Sequence, residues 1–170
     1  RFQQRNDVGK GRPGPGRRTA GHLLCRGAVL SDLYATQRDD YPVTVMAGHS
    51  ACEVILDAAP IGYTGITRPD VLIWVAEEGR TKALPRLAAM MPKDRAYVAS
   101  DLLSDNRPLD TQAQVIPLDY SKLDFRVRRQ NRTILALGAV LRREAWRRQR
   151  ALYQRGQSLC RTWSLIRDLG

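Results

Sequence analysis

The sequence predicts an α/β protein: a three-layer α/β/α domain with a largely parallel sheet, a single domain over residues 1–170 with a basic helical tail at about 131–170. Three observations predict it. Segments of helical period alternate with extended apolar runs, the pattern that lays helices on a sheet. The clearest run, Val71 to Val75, is apolar without interruption, as in a strand covered on both faces. And 170 residues with 43% hydrophobic content are enough chain for one buried core.

The elements follow in order. Thr19 to Tyr34, TAGHLLCRGAVLSDLY, carries Ala20, Leu23, Leu24, Ala28, Val29 and Leu33 at near-helical spacing, with Thr19 as N-cap. YPVTVMAGHSACEVIL reads as extended, with Val43 and Val45 before the Ala47-Gly48-His49-Ser50 corner and Val54 to Leu56 after it. APIGYTGI is a turn-rich connection to the strand at Val71. Gly79 to Met91 reads as a short helix, and Ala96 to Ala99 and Val115 to Leu118 as two further short strands. Asn131 to Gln149 is an amphipathic helix with Ile134, Leu137, Leu141 and Ala145 on one side and Arg143, Arg147 and Arg150 on the other. A final helix is expected at about Leu152 to Leu169, with Leu152, Leu159, Trp163 and Ile166 as its inward stripe.

The net charge of +11 is uneven. Residues 1–26 carry seven basic residues against Asp7 alone, and residues 126–170 carry twelve arginines against Glu144 and Asp168, while the middle is mildly acidic. Basic ends of this kind attract phosphate, nucleic acid or acidic proteins. No apolar run approaches the roughly 18–20 residues of a membrane span, so no membrane partner is expected. No secretory signal is visible. Cys25, Cys52 and Cys160 are scattered and form no C-x-x-C, which argues against a zinc or iron–sulfur site in this chain. An odd, sparse set of thiols suits a reducing compartment, and the expectation is cytoplasm.

The opening GKGRPGPGRRTAGHLL holds the candidate phosphate loop. Gly9, Gly11 and Gly14 fit G-x-G-x-x-G ahead of a helix, where backbone N–H groups and the helix dipole suit an anion. Pro13 and Pro15 each remove an N–H, and the preceding RFQQRNDV is a poor strand, so nucleotide binding is not expected there. A P-loop is excluded because no Gly-Lys-Ser/Thr follows. Of the two histidines, His22 falls on the first helix. His49 sits in a Gly-His-Ser corner, a better place for a working side chain, but adjacent His49 and Ser50 would point to opposite faces of an extended segment. Glu77 and Glu78 follow the strongest strand at its carboxyl end, where α/β folds place ligands, or are solvated charges at a helix start. No metal-ligand spacing and no catalytic constellation stands out.

Taken together, GRPGPGRRTAGHLLCRGAVLSDLYATQ resembles the start of the gamma subunit, or gamma domain, of the 2-oxoacid:ferredoxin oxidoreductases, the group of pyruvate, 2-oxoglutarate, indolepyruvate and phenylglyoxylate enzymes. Gly11, Gly14 and Gly16 fall on three of the four glycines of that opening, Gly-x-Gly-Gly-Gln-Gly, and Ala20-Gly21 and Leu23-Leu24 on its helix positions. Met46 to Ile61 is similar to an Arg-Gly-Gly corner, strand and Pro-Ile turn, with Gly48, His49 and Ser50 as the corner candidates. Arg68 to Gly79 resembles the Pro-Asp-x-Leu-Ile strand, and Asn131 to Arg142 the late Asn-x-x-x-Leu-Gly helix. Pro13 departs from a loop glycine, Pro15 from the glutamine, Met46 from the corner arginine, and Asp32 from the glycine that usually ends the first helix.

The resemblance implies a non-catalytic assembly subunit. Such complexes oxidatively decarboxylate a 2-oxo acid to an acyl-CoA or an acid and pass two electrons to ferredoxin or a similar acceptor. It further implies partners: alpha, beta and ferredoxin-like subunits, with a 2-oxo acid and, where an acyl-CoA is made, coenzyme A. Thiamine diphosphate, magnesium and 4Fe-4S clusters would sit on those other subunits and no cofactor on this chain. The alternative is a small basic α/β nucleic-acid-binding protein using its arginine-rich ends. It is the weaker expectation, because no aromatics interleave with the arginines of residues 1–26.

Overall fold

The structure is a computed structural model that describes residues 16–40, 49–103, 108–121, 125–152 and 161–168. Its elements in chain order are α1 (Gly16–Val29), β1 (Tyr34–Asp40), β2 (His49–Asp57), β3 (Val71–Trp74), α2 (Arg80–Ala88), β4 (Arg95–Ala99), β5 (Gln114–Leu118), α3 (Phe125–Leu152) and β6 (Arg161–Asp168). The six strands form one sheet in the order β1-β2-β6-β3-β4-β5. β6, β3, β4 and β5 are parallel neighbours, and β2 alone runs against the rest. The expected mixed α/β fold with a largely parallel sheet is the observed one.

Alternation along the strands explains the layers. Val71, Ile73 and Val75 join a core with Ala20, Leu24 and Ala28 of α1 and Ala136, Leu137 and Val140 of α3. Leu72 and Trp74 point the other way, into a second core with Ala83 and Leu87 of α2. Tyr97 and Ala99 of β4 divide from Ala96 and Val98 in the same manner. An uninterrupted apolar strand is therefore needed wherever helices cover both faces.

Several expectations are corrected. The final helix over Leu152 to Leu169 is not formed: Arg161–Asp168 is a strand, paired with β2 on one side and β3 on the other. The tail is thus helical only to Leu152. Thr19 does not cap α1, which begins at Gly16. Tyr34, placed at the end of the first helix, starts β1 instead, an element the sequence did not announce. On α3 the inward stripe is Thr133, Ala136, Leu137, Val140 and Glu144, whereas Leu141 is exposed. Val43, Val45 and the polar first segment lie outside the described residues.

α1 ends in a Schellman turn. The Leu33 N–H bonds to the Ala28 carbonyl at 3.0 Å and the Asp32 N–H to that of Val29 at 3.1 Å. This geometry requires a left-handed residue between helix and strand, and Asp32 supplies it with φ of 58°. Leu33 then packs against the core and turns the chain into β1.

Candidate functional site

Topology gathers the candidate residues at one edge. β3, β4, β5 and β6 end at the same side of the sheet, and β2, running opposite, begins there with His49 and Ser50. His49 pairs with Asp168 and Ser50 with Arg167 in the backbone ladder. α1 leads into β1 at the amino edge, so its N-terminus, Gly16, lies at this carboxyl edge too. Gly11, Gly14 and Gly48 fall outside the described residues. Of the six loop and corner candidates, Gly16, His49 and Ser50 are therefore brought to one edge by the backbone.

The side chains described at this edge are mostly paired with one another. Glu77 and Glu78 are exposed on a short 3-10 turn, and both carboxylate oxygens of Glu77 accept hydrogen bonds from Arg80. Arg80 also lies over the Trp74 ring, 5.3 Å from its centroid. Beyond β4, Asp101 pairs with Arg132 of α3, whose guanidinium stacks 5.0 Å above the ring of Tyr120. Burial pushes the Tyr120 phenol well above its ordinary value. His22 sits exposed on α1.

On the α2 side of the sheet lies a cleft of about 360 Å³. Arg38 and Asp40 of β1, Glu53 of β2, the 65–67 segment, and Lys82 and Arg86 of α2 line it. Lys82 Nζ is 2.9 Å from Asp40, and Arg86 is paired with the buried Glu53. Arg38 has no ion-pair partner among the described residues. The cleft can therefore take a small anionic group beside Arg38. Sequence reasoning missed it, although one signal was available: Glu53 is a lone charge inside the apolar run ACEVIL, and a buried carboxylate needs a cation.

Burial, reinforced by the Asp39 carboxylate, raises both Cys25 and Cys52 above the ordinary thiol value. Among the described residues no three His, Cys, Asp or Glu side chains are grouped to hold a metal. No helix among them is long and apolar enough to cross a membrane.

Fold and edge together define an open-sheet α/β domain whose helix N-termini and strand ends converge on one rim. Residues 7–152 match the family described as pyruvate ferredoxin/flavodoxin oxidoreductase, and the chain belongs to that family. The matched span ends with α3 and leaves β6 outside it. No curated protein matches the chain.

Proposed function

We propose that this chain is the gamma subunit, or gamma-type domain, of a multi-subunit thiamine diphosphate-dependent 2-oxoacid:ferredoxin or related oxidoreductase, with a mainly structural role in assembly. The observation that carries this reading is the family match over residues 7–152. In the proposed reaction the 2-oxo acid loses carbon dioxide, its acyl carbon passes to coenzyme A or water, and two electrons leave for the acceptor. Thiamine diphosphate, magnesium and 4Fe-4S clusters are assigned to other subunits, a division supported by the three scattered cysteines of this chain, which form no C-x-x-C. The carboxyl-edge residues Gly16, His49 and Ser50 would then face a neighbouring subunit or the entrance to its active site.

The test is purification of the tagged full chain from its own cells without oxygen. Thiamine diphosphate-binding and iron–sulfur subunits recovered in fixed proportion would support the assignment. Recovery of the chain alone, or with nucleic acid that nuclease removes, would overturn it.

A further inference from the structure

α1 and α3 pack side by side over the same face of the sheet. Each carries the same pattern on one flank. On α1 it is Leu23 and Gly27, continued by Leu30 just past the helix end, at i, i+4 and i+7; on α3 it is Ile134, Gly138 and Leu141 at the same spacing. Leu30 is 79% exposed and Leu23 49%, while Ile134 is half-buried and Leu141 is exposed. Gly27 and Gly138 are exposed as well, and a Cβ on either would meet nothing within 4 Å. Glycine is a poor helix former, and no close approach within the described fold requires one at Gly27, in the last turn of α1, or at Gly138, in the middle of α3.

Helix geometry places the two flanks toward a common groove. At 100° per residue, Gly21 and Cys25 lie on the β1 side of α1, where Gly21 abuts Cys52 and Gln37. Leu23, Gly27 and Leu30 lie on the opposite flank, toward α3. On α3, Arg132 reaches out to Asp101 and Tyr120 at the far side, so Ile134, Gly138 and Leu141 lie on the flank toward α1. The helices run in the same direction, both starting at the carboxyl edge of the sheet. The outer groove between them is thus apolar, with a glycine on each wall.

Charge selects the occupant. Arg26 and Arg142 stand on the crests of the two helices, exposed and without an ion pair among the described residues, whereas Arg80, Arg86, Arg95 and Arg132 are all paired. A second copy would bring the same arginines and a net charge of +11 to the contact. Residues 1–15 and 153–160 carry basic excesses of their own. We infer that the α1–α3 groove docks an acidic amphipathic helix of another subunit of the same complex. A small apolar stripe would approach the backbone at Gly27 and Gly138, and carboxylates would meet Arg26 and Arg142. This rests on the subunit reading above.

The test places a photo-crosslinking amino acid at Leu30 in the full chain, expressed with its complex in its own cells. Thr81, exposed on α2 across the sheet, is the control. Adducts from Leu30 should map to a net-acidic helical peptide of another subunit, and Thr81 should give none there. A second measurement uses Gly138→Leu, which should keep or raise the melting temperature of the chain yet weaken subunit retention about tenfold or more. If the complex assembles but Leu30 joins a second copy or residues 1–15 or 153–160, or Gly138→Leu leaves retention unchanged, the groove assignment fails alone. If no subunit is retained by the unaltered chain, the subunit reading fails and takes the groove with it.

Discussion

The Tyr97 hydroxyl donates a hydrogen bond to Glu144 Oε1 across 2.8 Å, tying the inner face of β4 to the second half of α3. Arg95 Nη1 binds the same carboxylate at 3.0 and 2.9 Å. Glu144 is buried, so its charge is tolerable only with both partners in place. Glu144→Ala strands the Arg95 guanidinium and the Tyr97 hydroxyl together. The expected loss is about 3–5 kcal/mol, as when one partner of a buried pair is removed. Tyr97→Phe removes one hydrogen bond to a charged group and should cost about 1.5–3 kcal/mol. Urea unfolding checks both, and a Glu144→Ala midpoint equal to that of the parent would contradict the buried-pair argument.

The same contact sets an alkaline limit. Burial and the hydrogen bond to Glu144 push the Tyr97 phenol from its ordinary 10.0 up to about 12. Between those values the unfolded chain releases the proton while the folded chain holds it. The folded state then binds more protons, so stability falls as pH rises through this window and is independent of Tyr97 below it. Tyr120, raised by burial, adds to the same slope. Denaturant titrations from pH 9 upward should show the decline, and Tyr97→Phe should make it shallower. An identical slope in the variant would assign the limit to other groups.

Gly21 is required by a close approach. A Cβ there would overlap the buried Cys52 sulfur and press on Gln37 at 3.0 Å. Gly21→Ala should therefore cost about 1–3 kcal/mol by overpacking, although alanine is the better helix former. Combining it with Cys52→Ala makes room, and the double variant should recover part of the loss relative to the sum of the singles. Strict additivity in melting temperatures would show that Gly21 does not work through Cys52.

At the other end of α1, Asp32 holds the left-handed position of the Schellman turn. An L-residue is strained there and glycine is not. Asp32→Gly should raise stability by about 0.5–1 kcal/mol, and Asp32→Val, with a branched side chain, should lower it by more than that. The urea midpoints should fall on opposite sides of the parent. Two variants displaced in the same direction would point to a role for the carboxylate rather than the backbone.

Buried, periodic segments were readable from sequence, and segments held by pairing were not. Val71 to Trp74 announces itself because both faces are covered. β1, Tyr34–Asp40, has the sequence YATQRDD, with Ala35 its one small apolar residue packed on the core; it is a strand because it pairs residue for residue with β2 along the sheet edge. Leu141 was misassigned because an i, i+3, i+7 count does not distinguish a core stripe from a groove flank. Of the six loop and corner candidates that the resemblance names, Gly11, Gly14 and Gly48 lie outside the described residues, and Gly16, His49 and Ser50 lie at one edge of the sheet. The cleft partners Asp40 and Lys82, or Glu53 and Arg86, lie 42 and 33 residues apart, and no local pattern links them.

The strand β6 gives the sharpest test of the fold. Its sequence, RTWSLIRD, offers Trp163 and Ile166 at a spacing that also fits a helix, which is why a helix was expected. In the sheet it fills the slot between β2 and β3, and there is no direct β2–β3 ladder. Without β6 the β1–β2 hairpin loses its backbone link to the parallel half, and Val71 to Trp74 lose one row of partners. Interior N–H and C=O groups left in this way are costly. A chain ending at Leu152 keeps the whole family-matched span and should still lose cooperative unfolding, seen as a broad or absent thermal transition by circular dichroism. A helical tail could be removed with only local loss. If the shortened chain melts as sharply as the full one, and at the same temperature, then Arg161–Asp168 is not the strand that joins the two halves of the sheet.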